Sequence, residues 1–212
     1  LKMRAVNKSA FQREARLSVN SDTPLFGMVT RLDGTKGLEL VIAAFETLLQ
    51  QRDVQFVILG TGEEMYEANF RELQERFPNN VRAYIKFDDR LARRIYASVD
   101  VFLTPSRAEP SSIGLMTAMH YGAVPVVHVT GGLADTVIDA NAHADRGVGF
   151  TFSAYTAPAL LEAIERALRA YENKSRWMDI QRRAMERDFS WDASARAYVD
   201  LYQRALALHR AI

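Results

Sequence analysis

Arg31 and Lys36 stand five residues apart around a glycine turn that follows the short apolar run Leu25–Thr30. An arginine offers a planar fork of donors and a lysine offers a point charge, so the pair could clamp a phosphate group. Glycine in the turn would let the backbone approach the same anion. An ordinary solvated loop is the alternative interpretation, because basic residues are common in loops that follow strands.

A second turn, Gly60-Thr61-Gly62, follows the apolar run Gln55–Leu59. The backbone amides of such a G-x-G turn could meet a phosphate. The turn lacks the third glycine of the dinucleotide fingerprint and opens into Glu63 and Glu64, so it does not by itself indicate a nicotinamide cofactor.

Glu109 lies in a Pro- and Ser-rich loop after another apolar run, Val101–Thr104. At this position a carboxylate could hold a sugar hydroxyl. The amides of Gly114 and Leu115, near the start of the following helix, could meet a diphosphate. A surface glutamate before a helix cap is the alternative interpretation.

Paired glycines, Gly131 and Gly132, follow the run Val124–His128. They would allow a ligand to approach the backbone closely, and a plain tight turn is the alternative. No second acid stands at a strand end in an evident relation to Glu109, so a hydrolytic carboxylate dyad is not indicated.

These candidate residues all follow short β-branched or aromatic runs that alternate with longer helical patterns, which is typical of β-α units and a parallel sheet. We therefore predict an α/β fold, a Rossmann-like doubly wound parallel sheet of about six strands, in which ligands bind beyond the carboxyl ends of the strands. The predicted strands are Leu25–Thr30, Gln55–Leu59, Val81–Ile85, Val101–Thr104, Val124–His128 and Gly149–Phe152. The predicted helices are Leu38–Gln50, Leu91–Val99, Ala157–Tyr171, Ser175–Arg187 and Trp191–Arg210, and Leu1–Asn20 is expected to be a short helix or linker.

The composition fits a globular domain: 212 residues, 48% hydrophobic and 25% charged, with no cysteine. Thiolate catalysis, disulfides and cysteine-based zinc sites are thereby excluded. A net charge of +1 provides no global field for nucleic acid or anionic lipid, and no signal peptide or membrane span is visible, so we expect neither partner and an intracellular protein. No two of the histidines stand at metal-ligand spacing, so no metal site is expected; they are His120, His128, His143 and His209.

The strand-end sequences, taken together, resemble the C-terminal half of the bacterial glycogen synthase and plant starch synthase family of retaining glycosyltransferases. The matching segments are collinear over most of the chain. They are Pro24–Leu32, Lys36-Gly37-Leu38, Leu59–Gly62, Pro105-Ser106-Arg107, Glu109-Pro110, Tyr121-Gly122, Val124-Pro125, Thr130–Val137 and Asp188–Trp191.

This resemblance implies roles for three catalytic residues. Arg31 and Lys36 would neutralise the diphosphate of a nucleotide-sugar donor as it leaves, without a metal or other cofactor, and Glu109 would hold the donor glucose. It also implies a set of substrate-binding residues, among which Phe87 would stack on adenine. The set is Gly60, Gly62, Phe87, Ser111, Gly114, Leu115, Thr130, Gly131, Gly132 and Leu133. The family's usual Cys-Gly-Leu after Glu-Pro is replaced by Ser111-Ser112-Ile113, with Gly-Leu two residues later.

The same resemblance implies half of a twin-Rossmann enzyme. Residues 1–22 would be a linker or N-terminal helix, 23–187 the nucleotide-sugar-binding domain, and 188–212 a helix packing toward an N-terminal domain outside this chain. The reaction implied is transfer of glucose from ADP-glucose to the 4-hydroxyl of an α-1,4-glucan with retention, in a bacterial cytoplasm or a plastid. Two alternatives remain open: a related transferase using another nucleotide sugar, and a non-catalytic module that binds a nucleotide or a partner.

Overall fold

The computed structural model describes residues 3–210, which form one parallel sheet of six strands in the order β3-β2-β1-β4-β5-β6. Most strand residues are buried, because a parallel sheet is covered by helices on both faces, whereas four of the five residues of the edge strand Val81–Ile85 are half-buried. The predicted doubly wound fold is confirmed, and each strand matches its predicted range to within one residue at either end. The strands are β1 (Leu25–Val29), β2 (Gln55–Gly60), β3 (Val81–Ile85), β4 (Val101–Thr104), β5 (Val124–His128) and β6 (Phe150–Phe152).

Nine helices within residues 3–210 cover the sheet and extend beyond it. They are α1 (Arg4–Glu14), α2 (Leu38–Gln51), α3 (Glu64–Arg76), α4 (Asp89–Ser98), α5 (Ile113–His120), α6 (Gly131–Thr136), α7 (Ala157–Glu172), α8 (Lys174–Met185) and α9 (Trp191–Arg210). The five helices predicted between Leu38 and Arg210 are present. Helices α3 and α6 were not predicted. Helix α3 is largely polar and buries only three side chains, and α6 begins with two glycines, which are poor helix formers.

Two hydrophobic cores lie on opposite faces of the sheet. On one face Phe45 of α2 packs against Phe26 and Phe56, with ring centroids 5.4 and 4.5 Å apart. On the other face Ile95 of α4 and Leu115 of α5 pack in a second cluster. The sheet is thereby fixed on both sides, and the loops at its carboxyl edge start from a rigid base.

Helix α1 is tied to the sheet by a buried ion pair. Lys8 is 3% exposed, and its Nζ donates to Asp100 Oδ2 at 2.6 Å, to the Ser21 carbonyl at 2.9 Å and to the Tyr171 hydroxyl at 3.1 Å. The same Asp100 oxygen accepts from the Leu25 amide at 2.9 Å. Burial lowers the pKa of Lys8, and Asp100 opposes that change. The ion pair therefore joins α1 to the first residue of β1.

Strands β1 and β4 are paired over a short length only. β1 pairs with β2 along five residues, but with β4 only at Phe26–Val101 and Gly27–Phe102. Beyond these pairs the two strands separate toward their carboxyl ends. This opens a crevice where the strand order reverses, which is the usual ligand position in doubly wound sheets.

Helix α9 lies apart from both cores and leaves an apolar stripe exposed. Its exposed large hydrophobic residues are Trp191, Tyr198, Val199, Leu201, Tyr202, Leu206 and Leu208. That this helix packs on a further domain stays a prediction, as do the domain boundaries at residues 22 and 187. None of the helices between residues 3 and 210 has both the length and the apolar character needed to span a bilayer.

Candidate functional site

Two adjoining cavities lie at the carboxyl edge of the sheet, on either side of the start of α5. The larger has a volume of about 430 Å³ and lies toward β2 and α4. The smaller, about 190 Å³, lies between the separated ends of β1 and β4. They share Val29, Thr30, Ile113 and Gly114 as lining residues. We call the two cavities together the groove, which lies at the topological switch point.

Lys36 and Glu109 form an ion pair in the smaller cavity. Lys36 Nζ donates to Glu109 Oε2 at 2.7 Å, and the Ser106 hydroxyl donates to the same oxygen at 3.1 Å. Glu109 is only 9% exposed. No hydrogen bond from residues 3–210 ends on its other oxygen, Oε1. The carboxylate is thus held through one oxygen and keeps the second for another donor.

Arg31 lines the larger cavity and lies at its exposed rim. Its side chain is 79% exposed, and its guanidinium lies 3.2 Å from Asp33. Burial acts to raise the pKa of Asp33, but hydrogen bonds from Thr35 and the charge of Arg31 lower it overall. Arg31 and Lys36 therefore line different cavities, and a group held by both would lie across the boundary between the cavities.

Phe87 and Gly60 also line the larger cavity. The Phe87 ring is 88% exposed, which is unusual for a large apolar side chain, and Ile113 on the opposite side is 79% exposed. Exposed apolar surface at the mouth of a cavity suits a flat ring stacked against it.

A side-chain cap sets the start of α5. The helix begins at Ile113, and the Ser112 hydroxyl caps it by accepting from the Leu115 amide at 3.3 Å. The Leu115 side chain is fully buried. The Leu115 amide therefore has a partner within the chain, and its contact with a diphosphate stays a prediction. Gly114 lines both cavities and Ser111 lines the smaller one.

In the second turn, Gly62 makes contacts within the chain. Its amide donates to Glu67 Oε1 at 3.1 Å, and it lines neither cavity. A Cβ there would come within 2.2 Å of the Leu32 carbonyl, so the glycine is required by the close approach of the two turns. The phosphate contact through Gly62 stays a prediction.

The segment 130–133 lies behind the Glu109 loop and supports it. Thr130 Oγ1 donates to the Arg107 carbonyl at 3.2 Å, and the Gly132 amide donates to the Glu109 carbonyl at 3.1 Å. Leu133 is buried in the core. None of these four residues lines either cavity, so the close backbone approach predicted for Gly131 and Gly132 is to the Glu109 loop.

Replacing Gly131 with alanine is expected to destabilise the fold by about 2 kcal/mol or more, because Gly131 has φ +46° and non-glycine residues are strained there. The new Cβ would also lie 2.3 Å from the Glu109 carbonyl oxygen. Urea unfolding measures the change. Gly34→Ala is the matched control, since its Cβ would meet only Tyr66 Oη at an ordinary 3.6 Å. Equal losses in the two variants would contradict the prediction.

Four residues near the groove are not among the site residues that the sequence predicts. Ser106 holds Glu109, and Tyr96 lines the larger cavity. Thr104 lines the smaller cavity, and no residue between 3 and 210 hydrogen-bonds to its buried hydroxyl. His128 is buried, with its ring nitrogens 2.9 Å from the Ser106 carbonyl and 3.2 Å from the Ser153 carbonyl. The rule that ligands meet strand ends would have found Thr104, but no sequence signal identifies Tyr96.

Within the part of the chain that the structure describes, no group of three or more His, Asp or Glu side chains could hold a metal ion. The cations of the groove are Arg31 and Lys36, joined in the larger cavity by Lys86 and Arg93. Lys86 is paired with Asp88 and Arg93 with Asp89. The side chains of the groove can therefore neutralise an anion and hold hydroxyl groups.

Comparison with known proteins identifies a family and several similar chains. The family model for glycosyl transferases group 1 matches residues 11–184. Glycogen synthase from Kosmotoga olearia is 49% identical over 206 residues, and glycogen synthase from Thermotoga maritima is 47% identical over 208. The matches cover 97% and 98% of this chain but 43% of each relative.

A solved structure is similar at the level of the fold and the sequence. The catalytic domain of starch synthase IV from Arabidopsis thaliana, bound to ADP and acarbose, superposes with a TM-score of 0.86 at 34% identity. The match covers 96% of this chain and 43% of that one. The chain thus spans less than half the length of the relatives that it matches.

Proposed function

Since the chain belongs to the glycosyl transferases of group 1, we propose that it binds ADP-glucose for an enzyme that extends an α-1,4-glucan with retention of configuration. The domain is similar to those of glycogen and starch synthases. The observation that carries the proposal is the groove itself, in which an exposed aromatic ring, a helix start and a cation–carboxylate pair follow one another across the switch point.

The larger cavity has the features needed for the nucleoside and diphosphate. Phe87 offers a stacking face for adenine, and a purine covers more of such a ring than a pyrimidine does. Gly114, the second residue of α5, lines both cavities. The helix dipole favours negative charge at this end of the helix. A donor lying along the groove would place its base at Phe87 and its sugar in the smaller cavity.

Lys36 and Arg31 would stabilise the departing diphosphate. Negative charge grows on the leaving oxygens as the bond to glucose breaks, and preorganised cations stabilise that charge more than they stabilise the bound donor. Lys36 can donate to a phosphate while it keeps Glu109, because an ammonium group has three donors. The proposal therefore assigns charge neutralisation to the chain's own side chains.

Glu109 would position the glucose ring in the smaller cavity. Its Oε2 is fixed by Lys36 and Ser106, so Oε1 can accept hydrogen bonds from sugar hydroxyls in a defined orientation. For retention, we propose that the leaving phosphate assists the acceptor hydroxyl on the same face of an oxocarbenium-like ring. Glu109 holds that ring without forming a covalent bond to it.

The glucan would be bound largely outside this chain. The matched relatives are more than twice as long as this chain. We propose that the exposed apolar stripe of α9 packs on the remainder of the full-length enzyme, which would supply the acceptor site.

The proposal predicts that the chain binds ADP and ADP-glucose, and ADP at least about tenfold more tightly than UDP, a difference of about 1.4 kcal/mol. The reason is the larger stacking area of adenine on Phe87. Isothermal titration calorimetry with ADP-glucose, ADP, UDP and GDP measures the preference directly. Phe87→Ala should remove most of the difference, whereas Tyr198→Ala on α9 should not change it.

Tighter binding of UDP or GDP would contradict the choice of donor while leaving a nucleotide-sugar site. Absence of binding by all four ligands would contradict the site. Retention is measured separately, from the anomeric configuration of the glucan made by an enzyme that contains this chain.

A further inference from the structure

The hydroxyl of Tyr96 lies beside the start of α5. Tyr96 belongs to α4 and lines the larger cavity. Its oxygen is 3.2 Å from the position that a Cβ on Gly114 would take. No side chain or backbone group in residues 3–210 hydrogen-bonds to this hydroxyl. A half-buried tyrosine oxygen normally has a partner, so this one is available to a molecule in the cavity.

The ring of Tyr96 is held in place by the core. It packs against Phe102 of β4, with ring centroids 5.5 Å apart, and the next residue toward the amino end of α4, Ile95, is fully buried. The absence of a side chain at Gly114 leaves room for the oxygen. The hydroxyl is thus fixed next to the second residue of α5, at the boundary of the two cavities.

The hydroxyl is a hydrogen-bond donor under ordinary conditions. Burial raises the pKa of Tyr96, and the charge of Asp89 raises it further, so the proton stays on the oxygen at neutral pH. A neutral donor near the start of a helix suits an anionic oxygen, because the helix dipole and the hydroxyl dipole then favour the same charge.

We propose that the Tyr96 hydroxyl donates a hydrogen bond to the diphosphate of the bound nucleotide, so that Tyr96 and the start of α5 hold the same phosphate oxygens from two sides. This inference rests on the proposed function, since it assumes that a nucleoside diphosphate occupies the groove. Tyr96 would be a binding residue from α4. None of the site residues predicted from strand ends belongs to this helix.

The test compares Tyr96→Phe with the wild-type chain by calorimetry, using ADP and adenosine as ligands. Removing only the hydroxyl should weaken ADP binding about tenfold, which is typical of a lost hydrogen bond to a charged group, and change adenosine binding less than about twofold. Tyr84→Phe is the matched control, because Tyr84 is also half-buried with a pKa raised by burial but lines neither cavity. Thermal melts of both variants check that the fold is kept.

A double-mutant cycle with Gly114→Ala tests the contact itself. The new Cβ would crowd the Tyr96 oxygen, so Gly114→Ala should weaken ADP binding more in the wild-type background than in Tyr96→Phe. If the effects of Gly114→Ala and Tyr96→Phe on the free energy of ADP binding are additive, the two residues do not hold the same phosphate oxygens, and the inference is contradicted.

The outcomes separate the two proposals. If the wild-type chain binds ADP and Tyr96→Phe binds it equally well, the role of Tyr96 is wrong and the donor site stands. If Tyr96→Phe weakens adenosine as much as ADP, the hydroxyl contacts the nucleoside and the inference is overturned. If the wild-type chain binds neither ADP nor ADP-glucose, the donor site is wrong and the inference with it.

Discussion

Lys36→Ala is expected to weaken ADP binding at least about tenfold and to slow glucosyl transfer about 10³-fold in an enzyme that contains this chain. The binding loss reflects a removed cation next to a diphosphate. The larger loss in rate follows because the charge that Lys36 meets grows in the transition state. Calorimetry on the chain and initial rates of ADP release on the enzyme measure the two effects.

The interpretation of Lys36→Ala depends on separating binding from stability. The substitution leaves Glu109, a nearly buried carboxylate, without its cation. The double variant Lys36→Ala, Glu109→Gln removes that unpaired charge, and should recover stability without recovering ADP binding. Arg52→Ala, which breaks an ion pair with Glu165 remote from the groove, should change neither binding nor rate. Unchanged ADP affinity in Lys36→Ala would contradict the proposed role.

Asp100→Ala should cost about 3–5 kcal/mol of unfolding free energy, the loss typical when one partner of a buried ion pair is removed. Lys8 would lose its counter-ion in a site that is 3% exposed, and the Leu25 amide would lose its acceptor. Asp100 is the main group that opposes the lowering of the Lys8 pKa by burial, so its removal lowers that pKa further. Urea unfolding at neutral pH measures the loss.

Two further variants identify the cause of that loss. Lys8→Met combined with Asp100→Ala removes both charges and should be more stable than Asp100→Ala alone. Arg93→Ala, which breaks an exposed ion pair with Asp89, should cost no more than about 0.5 kcal/mol. A double variant less stable than the single one would show that the unpaired lysine is not the main cost.

The strands could be predicted closely because buried parallel strands are nearly continuous apolar runs between turn residues. The same pattern placed Arg31, Lys36 and Glu109 at strand ends, and the order of the sheet brings these loops together. The amphipathic spacing of α2 and α7 was equally clear. Helix α3 was missed because most of its residues are polar and exposed.

The finer contacts could not be predicted, because they depend on distances between segments far apart in the chain. The Ser112 hydroxyl, rather than the following glycine, sets where α5 begins. The Gly62 amide donates a hydrogen bond to Glu67, which lies in the first turn of α3. Tyr96 reaches the groove only because α4 and α5 lie side by side on the same face of the sheet.

The short pairing between β1 and β4 has a mechanical consequence. Two residue pairs join the two halves of the sheet, and Lys36 and Glu109 lie on opposite sides of that joint. Their ion pair links the two halves of the sheet across the open end. A nucleotide-sugar donor bound to both residues would add a second link. A bound donor should therefore reduce the twisting of one half of the sheet relative to the other. Slower amide hydrogen exchange in Met28–Val29 and Leu103–Thr104 would be its signature.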